Sequence, residues 1–82
     1  MLRLCDIPPG QRALVRDVTT QGAMRRRLLE LGLVEGTEVA CLMRSPWSDP
    51  TAYRIRGAVI ALRRADSAGV LVAPGEEAAP WD

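Results

Sequence analysis

The residues of this 82-residue chain that could do chemistry are mainly arginines and two cysteines. All 11 basic residues are arginine, and the chain contains no His. Without His, the usual Ser-His and Cys-His nucleophile pairs cannot form, and without Lys there is no amine for a Schiff base. We therefore expect no catalytic residues, and we expect that this protein is not an enzyme.

Residues that bind metals are also sparse. Cys5 and Cys41 are far apart and belong to no Cys-x-x-Cys pair, so the ligand count excludes the common zinc sites. Adjacent carboxylates occur only at Glu76 and Glu77, in a segment with no periodicity. We expect no resident metal and no cofactor. The cysteines are either reduced thiols of a cytosolic protein or, in an oxidising compartment, one disulfide.

The arginines and one tryptophan are the candidates for a binding function. Three arginines are consecutive from residue 25, and two more alternate with apolar residues at 54 and 56. Both patterns are also typical of a solvated helix or strand face, and a net charge of +1 gives no bulk attraction to polyanions. The tryptophan lies in a loop between two prolines and is either a partner contact or a lid on the core. The predicted partner-binding residues are Arg25, Arg26, Arg27, Trp47, Arg54 and Arg56.

A helix is predicted where the arginine run occurs. Met24, Leu28 and Leu31 fall at i, i+4 and i+7, so they form one apolar face with the arginines opposite. Thr20 or Gly22 could be the N-cap.

Turns are predicted at four glycines, because backbone sterics at turns often require this residue. Gly32 follows the last leucine, where a left-handed residue ends a helix. Gly36 precedes a strand, Gly57 with Ala58 could form the tight turn of a hairpin, and Gly10 ends the turn of the IPPG stretch.

Five short strands complete the predicted fold, which is mainly β. They alternate or are apolar over residues 12–18, 37–45, 52–56, 59–64 and 70–73. Such spacing indicates one small barrel or meander in residues 1–73, with the helix face of Met24, Leu28 and Leu31 closing one end. Residues 74–82 are predicted to be a loose tail. No segment reaches the ~18 apolar residues of a membrane span, and the N-terminus is not typical of a signal peptide.

A family resemblance appears in three stretches. The stretch RRRLLELGLVEGTEV resembles a signature of the ferrous iron transport protein A (FeoA) family, with two leucines, a Gly stop, a second Gly and a valine. The earlier LCDIPPGQRALVRDV and the later RSPWSDPTAYRIRGAVIALRR are similar to the flanking parts of that family. The resemblance covers about residues 2–73.

This resemblance implies an SH3-like β-barrel with an inserted helix. It also implies a small cytoplasmic accessory protein of bacterial ferrous iron uptake, located in the cytoplasm or at the inner face of the membrane. Its implied partner is the FeoB transporter, at its cytosolic GTPase region, with another iron-uptake accessory protein as a further candidate. The family has no catalytic residues to carry over.

Other functions stay open at this point. A nucleic-acid-binding barrel would use the arginines but needs stacking aromatics on a strand, for which only Tyr53 qualifies. A peptide-binding SH3 domain needs an aromatic groove, and the chain has only three aromatic residues, two Trp and one Tyr. A direct metal-ion-binding role would have to use scattered carboxylates.

Overall fold

The computed structural model describes residues 2–47 and 49–75. In chain order the elements are β1 (Leu2–Arg3), a 3-10 turn (Leu4–Asp6), β2 (Arg12–Val18), α1 (Gly22–Glu30), β3 (Glu38–Arg44), β4 (Thr51–Ile55), β5 (Ala58–Leu62), α2 (Arg64–Ser67) and β6 (Val70–Pro74). Strand β6 extends one residue into the predicted tail, and the tail from residue 76 onward lies outside the described residues. The predicted loop before β6 contains the single turn of α2.

The strands form one antiparallel sheet in the order β1-β6-β2-β3-β4-β5. The mainly β prediction is confirmed. The sequence predicts five strands and the structure has six, because the two-residue β1 is too short to show an alternating pattern. Within the described residues β1 and β5 are the two ends of the sheet and do not pair, so the predicted barrel is an open, curled sheet.

Two bulges change which side chains enter the core. In β2, alternation from Val15 would leave Val18 on the outer face, but a register shift between Val15 and Asp17 returns Val18 to the interior. In β3 a similar shift between Cys41 and Met43 leaves the methionine 64% exposed. One extra residue in a strand reverses the faces beyond it.

Helix α1 packs against the core through its apolar face. Leu28 is fully buried, while Met24, Leu29 and Leu31 are partly buried against the core. The N-cap is Gln21, without a side-chain capping bond, rather than Thr20 or Gly22. Gly22 instead has a positive φ of 73° and is the first residue of the helix.

The end of α1 is a Schellman motif. Gly32 has φ +105°, its N–H donates to the carbonyl of Leu29 at 3.0 Å, and the N–H of Leu33 donates to the carbonyl of Leu28 at 3.2 Å. Leu33 is fully buried, so the chain leaves the helix directly into the core.

The β4–β5 hairpin turns one residue earlier than the sequence predicts. Its two turn residues are Arg56 and Gly57, with φ of 52° and 83°, and Ile55 pairs with Ala58. Positive φ at both positions is the type I′ geometry that matches the twist of the two strands. Ala58 therefore begins β5 and is not part of the turn.

The core is aliphatic apart from one tyrosine and one cysteine. Tyr53 is 1% exposed and its hydroxyl lies 3.5 Å from the carbonyl oxygen of Leu4, which links β4 to the 3-10 turn. Cys5 and Cys41 are both buried and both free. The core cluster consists of Leu4, Ile7, Ala13, Val15, Val18, Leu28, Leu33, Val39, Cys41, Tyr53, Ile55, Leu62, Val70 and Val72.

Candidate interaction surface

The arginines of α1 have different surroundings. The guanidinium of Arg25 donates to the carbonyl of Val18, so this side chain links the helix to the end of β2. Arg26 and Arg27 are exposed, and Arg27 lies in the last turn, where a cation interacts favourably with the helix dipole. Two of the three arginines are therefore free to meet a partner without disturbing the fold.

A second arginine pair consists of Arg54, on the outer face of β4, and Arg56, in the turn that follows this strand. Arg54 and Arg56 line a groove of about 320 Å³ together with Glu38. The carboxylate of Glu38 lies 3.4 Å from the guanidinium of Arg12, so its charge is partly balanced from outside the groove. The remaining lining residues are Thr37, Ala40 and Gly57.

Arg56 also connects this groove to the end of helix α1. A Cβ placed on Gly32 would lie 2.7 Å from Cδ of Arg56, so the arginine stem packs directly over this glycine. The groove and the helix C-terminus are therefore adjacent.

Trp47 is presented by the β3–β4 loop. Its side chain is 85% exposed, which favours the contact interpretation over that of a lid. The loop is held by the amide of Asp49 donating to Oγ of Ser45 at 3.0 Å, and by Oδ1 of Asp49 accepting from the amide of Arg64 at 2.8 Å. The Asp49–Pro50 peptide is cis.

Trp47 and the groove do not form one patch. The loop lies at the Thr51 end of β4, whereas Arg56 follows the Ile55 end. Four steps of about 3.3 Å separate the two ends of this strand. The structure therefore brings the helix end and the groove together, but leaves Trp47 at the other end of the hairpin.

Tyr53 is not available to a ligand, because it lies in the core. A nucleic-acid-binding surface would need an exposed aromatic on a strand, and the strands described here present none. The nucleic-acid hypothesis thus loses the one stacking residue that the sequence offered.

The buried thiol of Cys41 is not poised for chemistry. Burial raises the pKa of Cys41, and the nearby positive charge of Arg44 only partly offsets this effect. A reactive cysteine needs the opposite shift, since the thiolate is the nucleophile. Burial likewise raises the pKa of Tyr53.

The carboxylate of Asp6 has a pKa below its ordinary value. The backbone N–H of Arg3 donates to Oδ2 of Asp6 at 3.0 Å and lowers the pKa of the aspartate, with help from the charge of the Arg3 side chain. The pair closes the 3-10 turn, so the interaction is structural.

Metal-ligating side chains do not converge in the part of the chain that the structure describes. No group of three or more Cys, Asp or Glu residues there is placed to hold an ion. Among the same residues, no helix has the length and hydrophobicity needed to cross a bilayer.

Comparison with known proteins identifies the family. Residues 2–74 match the FeoA domain. The chain belongs to the FeoA family.

Relatives of this FeoA chain include both single domains and a fusion. The solution structure of FeoA from Chlorobium tepidum is 34% identical, with a TM-score of 0.83 over 89% of this chain and 70% of that one. The crystal structure of Stenotrophomonas maltophilia FeoA complexed with zinc, described as an SH3 domain protein, is 30% identical, with a TM-score of 0.79 over 88% of this chain and 89% of that one. These neighbours confirm the SH3-like fold.

A curated relative is the Fe(2+) transport protein A/Fe(2+) transporter FeoB fusion protein of Porphyromonas gingivalis. It is 35% identical over 71 residues, which is 87% of this chain. The chain spans only 8% of the length of that fusion protein.

One close contact of this FeoA fold has no signal in the sequence. A Cβ on Gly69 would lie 1.8 Å from Oγ1 of Thr20, and the amide of Thr19 donates to the carbonyl of Gly69 at 2.7 Å. The contact joins the segment before α1 to the segment before β6, which are distant in sequence. Only the folded sheet reveals why residue 69 is glycine.

Proposed function

We propose that this protein is an accessory protein of bacterial ferrous iron uptake that binds a FeoB-type transporter at its cytosolic GTPase region. The observation that carries the proposal is the fusion relative, in which a homologous domain and a FeoB transporter are parts of one polypeptide. Domains joined in one chain operate at a high effective concentration, so an interaction between the separate proteins is the simplest equivalent. FeoA of Stenotrophomonas maltophilia is itself described as a candidate ferrous iron transport activating factor.

The proposed action is binding, without catalysis and without a resident cofactor. Ferrous iron is the cargo of the transporter and not a ligand of this domain. The proposed location follows from the partner: the cytoplasm, at the inner face of the membrane. Another iron-uptake accessory protein would be a further partner under the same proposal.

The proposed contact surface includes the six residues predicted from the sequence, but they have different roles in binding the partner. Its centre consists of exposed arginines: Arg26 on α1, Arg27 in the last turn of α1, and Arg54 and Arg56 at the groove. Trp47 would contact a separate part of the partner. Arg25 links α1 to β2 through its bond to the carbonyl of Val18, so it would position the helix and not contact the partner itself.

An NMR titration of the isotope-labelled protein with the cytosolic region of its cognate FeoB, with and without a GTP analogue, tests this proposal. We expect localised shifts on α1, the groove and the Trp47 loop. Arg26→Ala and Trp47→Ala should each weaken binding by at least ~fivefold, since arginine and tryptophan are common anchors. Arg16→Ala, at an exposed arginine on β2, is the matched control and should have no effect.

The absence of shifts in both nucleotide states would contradict binding to this region of the transporter. Binding that is insensitive to both Arg26→Ala and Trp47→Ala would retain the partner but contradict the proposed surface.

A further inference from the structure

The two edges of the sheet are protected very differently. Strand β1 has only two residues, one of which is Arg3. Strand β5, AVIAL, has five residues with no charge and no proline. Proteins usually protect an edge by shortness, charge, proline or a covering element. β5 shows none of the first three, and no element in the described part of the chain pairs with its outer side.

The alternation of hydrogen-bonded and non-hydrogen-bonded pairs in the β4–β5 hairpin shows which backbone N–H and C=O groups of β5 remain unpaired at this edge. Ile55 and Ala58 flank a two-residue turn and are therefore a hydrogen-bonded pair, and such pairs alternate along an antiparallel ladder. Val59 and Ala61 fall in the non-hydrogen-bonded positions, so their N–H and C=O groups point away from β4. Val59 is 60% exposed and Ala61 is also exposed.

Arginines stand at both ends of this edge. Arg54 and Arg56 lie at the turn end, and Arg63 and Arg64 follow directly after Leu62. Three carboxylates lie nearby: Glu38 in the groove, beside Arg12; Asp49, which accepts from the amide of Arg64; and Asp66, in the same helical turn as Arg64. The four arginines thus exceed the neighbouring acids, and the edge is an apolar strip between two positive ends.

We propose that the β5 edge binds an extended segment of a partner protein that adds to the sheet as a further antiparallel strand. The fitting segment has about five apolar or β-branched residues opposite β5, with acidic residues at both ends. Backbone bonds to Val59 and Ala61 would supply affinity, and the arginines would set register and select the acidic flanks.

A second copy of this chain fits the edge poorly. Antiparallel pairing centred on Ile60 would bring the turn end of each copy, with Arg54 and Arg56, beside the end of the other copy that carries Arg63 and Arg64. Like charges brought close together across paired strands are destabilising. The same charges that repel a second copy attract an acidic-flanked segment.

This inference does not depend on the identity of the transporter partner, and its test uses synthetic peptides. The first probe is a nine-residue peptide, Glu-Glu-Val-Thr-Val-Thr-Val-Glu-Glu. When its centre faces Ile60, its middle five residues lie opposite Ala58–Leu62, and its two Glu pairs extend past the two ends of β5 toward the arginines there. The matched control replaces all four Glu with Lys. Binding is followed on the isotope-labelled full chain by amide shifts and by hydrogen exchange of Val59 and Ala61.

We expect the acidic peptide to shift and protect the amides of β5, and the Lys peptide to bind at least ~tenfold more weakly. Ala61→Pro removes one outward N–H while leaving the bonds to β4 intact, and should reduce affinity. Arg63→Glu should reduce it at least as much, whereas Arg16→Glu, two strands away from the hairpin on β2, should not. Amide spectra of each variant verify the fold, and Arg63→Glu provides the test if Ala61→Pro does not fold.

Three results would each overturn the proposal. Equal binding of the Glu and Lys peptides would remove the charge argument. Shifts centred away from β5 would place the peptide elsewhere. Changes in the β5 amides on dilution of the free protein would show that a second copy occupies the edge.

Discussion

Gly32 is constrained both by its backbone and by a neighbouring side chain. Its φ of +105° ends helix α1, and an added Cβ would meet the stem of Arg56 at 2.7 Å. The first constraint can be predicted from the sequence, since a glycine after the last apolar helix position is a common stop signal. The second cannot, because the two residues meet only after the β4–β5 turn has formed.

We expect Gly32→Ala to lower the free energy of unfolding by about 1–2 kcal/mol through backbone strain, with an additional loss from displacing Arg56. Gly36→Ala is the matched control, because Gly36 has a similar φ of +90° and no atom within 4 Å of the added Cβ. Urea unfolding of the two variants measures the difference. In an Arg56→Ala background the excess cost at Gly32 should disappear. Equal costs in the unmodified chain would show that the contact contributes nothing.

At the scale of elements, the sequence predicts what depends on neighbours along the chain. The alternation of residues 12–18 predicts β2 with its observed bounds, and the leucine spacing predicts α1. It does not predict the bulges at Val15/Asp17 and Cys41/Met43, because a bulge depends on the partner strand. The hairpin turn is misplaced by one residue because a glycine fits either turn position, and only the strand register decides which.

Helix α1 is anchored to the core mainly by one leucine. Leu28 is fully buried, whereas the adjacent Leu29 is only partly buried. We expect Leu28→Ala to cost about 2–5 kcal/mol, as is usual for truncation of a buried leucine. Leu29→Ala removes the same atoms from the same helix and should cost clearly less. Thermal or urea unfolding measures both variants. A cost at Leu29 that equals the cost at Leu28 would contradict this description of the helix interface.

At the scale of the whole molecule, the predicted contact residues occupy more than one place. The sequence places Arg54 on the face of β4 opposite Tyr53 and Ile55, because that relation is local, but it does not predict that Arg56 lies in the turn. It cannot show that Arg56 adjoins the end of α1, or that Trp47 lies at the far end of the hairpin. Nor can the sequence reveal the free edge of β5, since strand order is a property of the assembled sheet.

Two buried side chains that can ionise, Cys41 and Tyr53, predict a loss of stability at high pH. Cys41 and Tyr53 are each 1% exposed, and burial raises both pKa values above their ordinary values of 9.0 and 10.0. In the unfolded chain both groups ionise near those ordinary values. The folded protein holds them neutral, so stability is fully present below about pH 9 and decreases as pH rises through this window.

We expect the free energy of unfolding, measured with urea, to be constant near neutral pH and to decrease above pH 9. Each of the two groups should contribute a slope of up to about 1.4 kcal/mol per pH unit. Tyr53→Phe removes the phenol, so the loss of stability that begins near pH 10 should become less steep. The variant also loses the contact between the hydroxyl and the carbonyl of Leu4, which lowers stability at every pH. Cys41→Ala should remove the part that begins near pH 9. Urea unfolding curves measured from pH 7 to 11 in reductant separate the contributions of Tyr53 and Cys41. Each variant should change how steeply the free energy of unfolding falls with pH, and not only its value at neutral pH. An alkaline slope unchanged in both variants would show that other groups limit stability, and the two buried side chains would then have no part in the pH dependence.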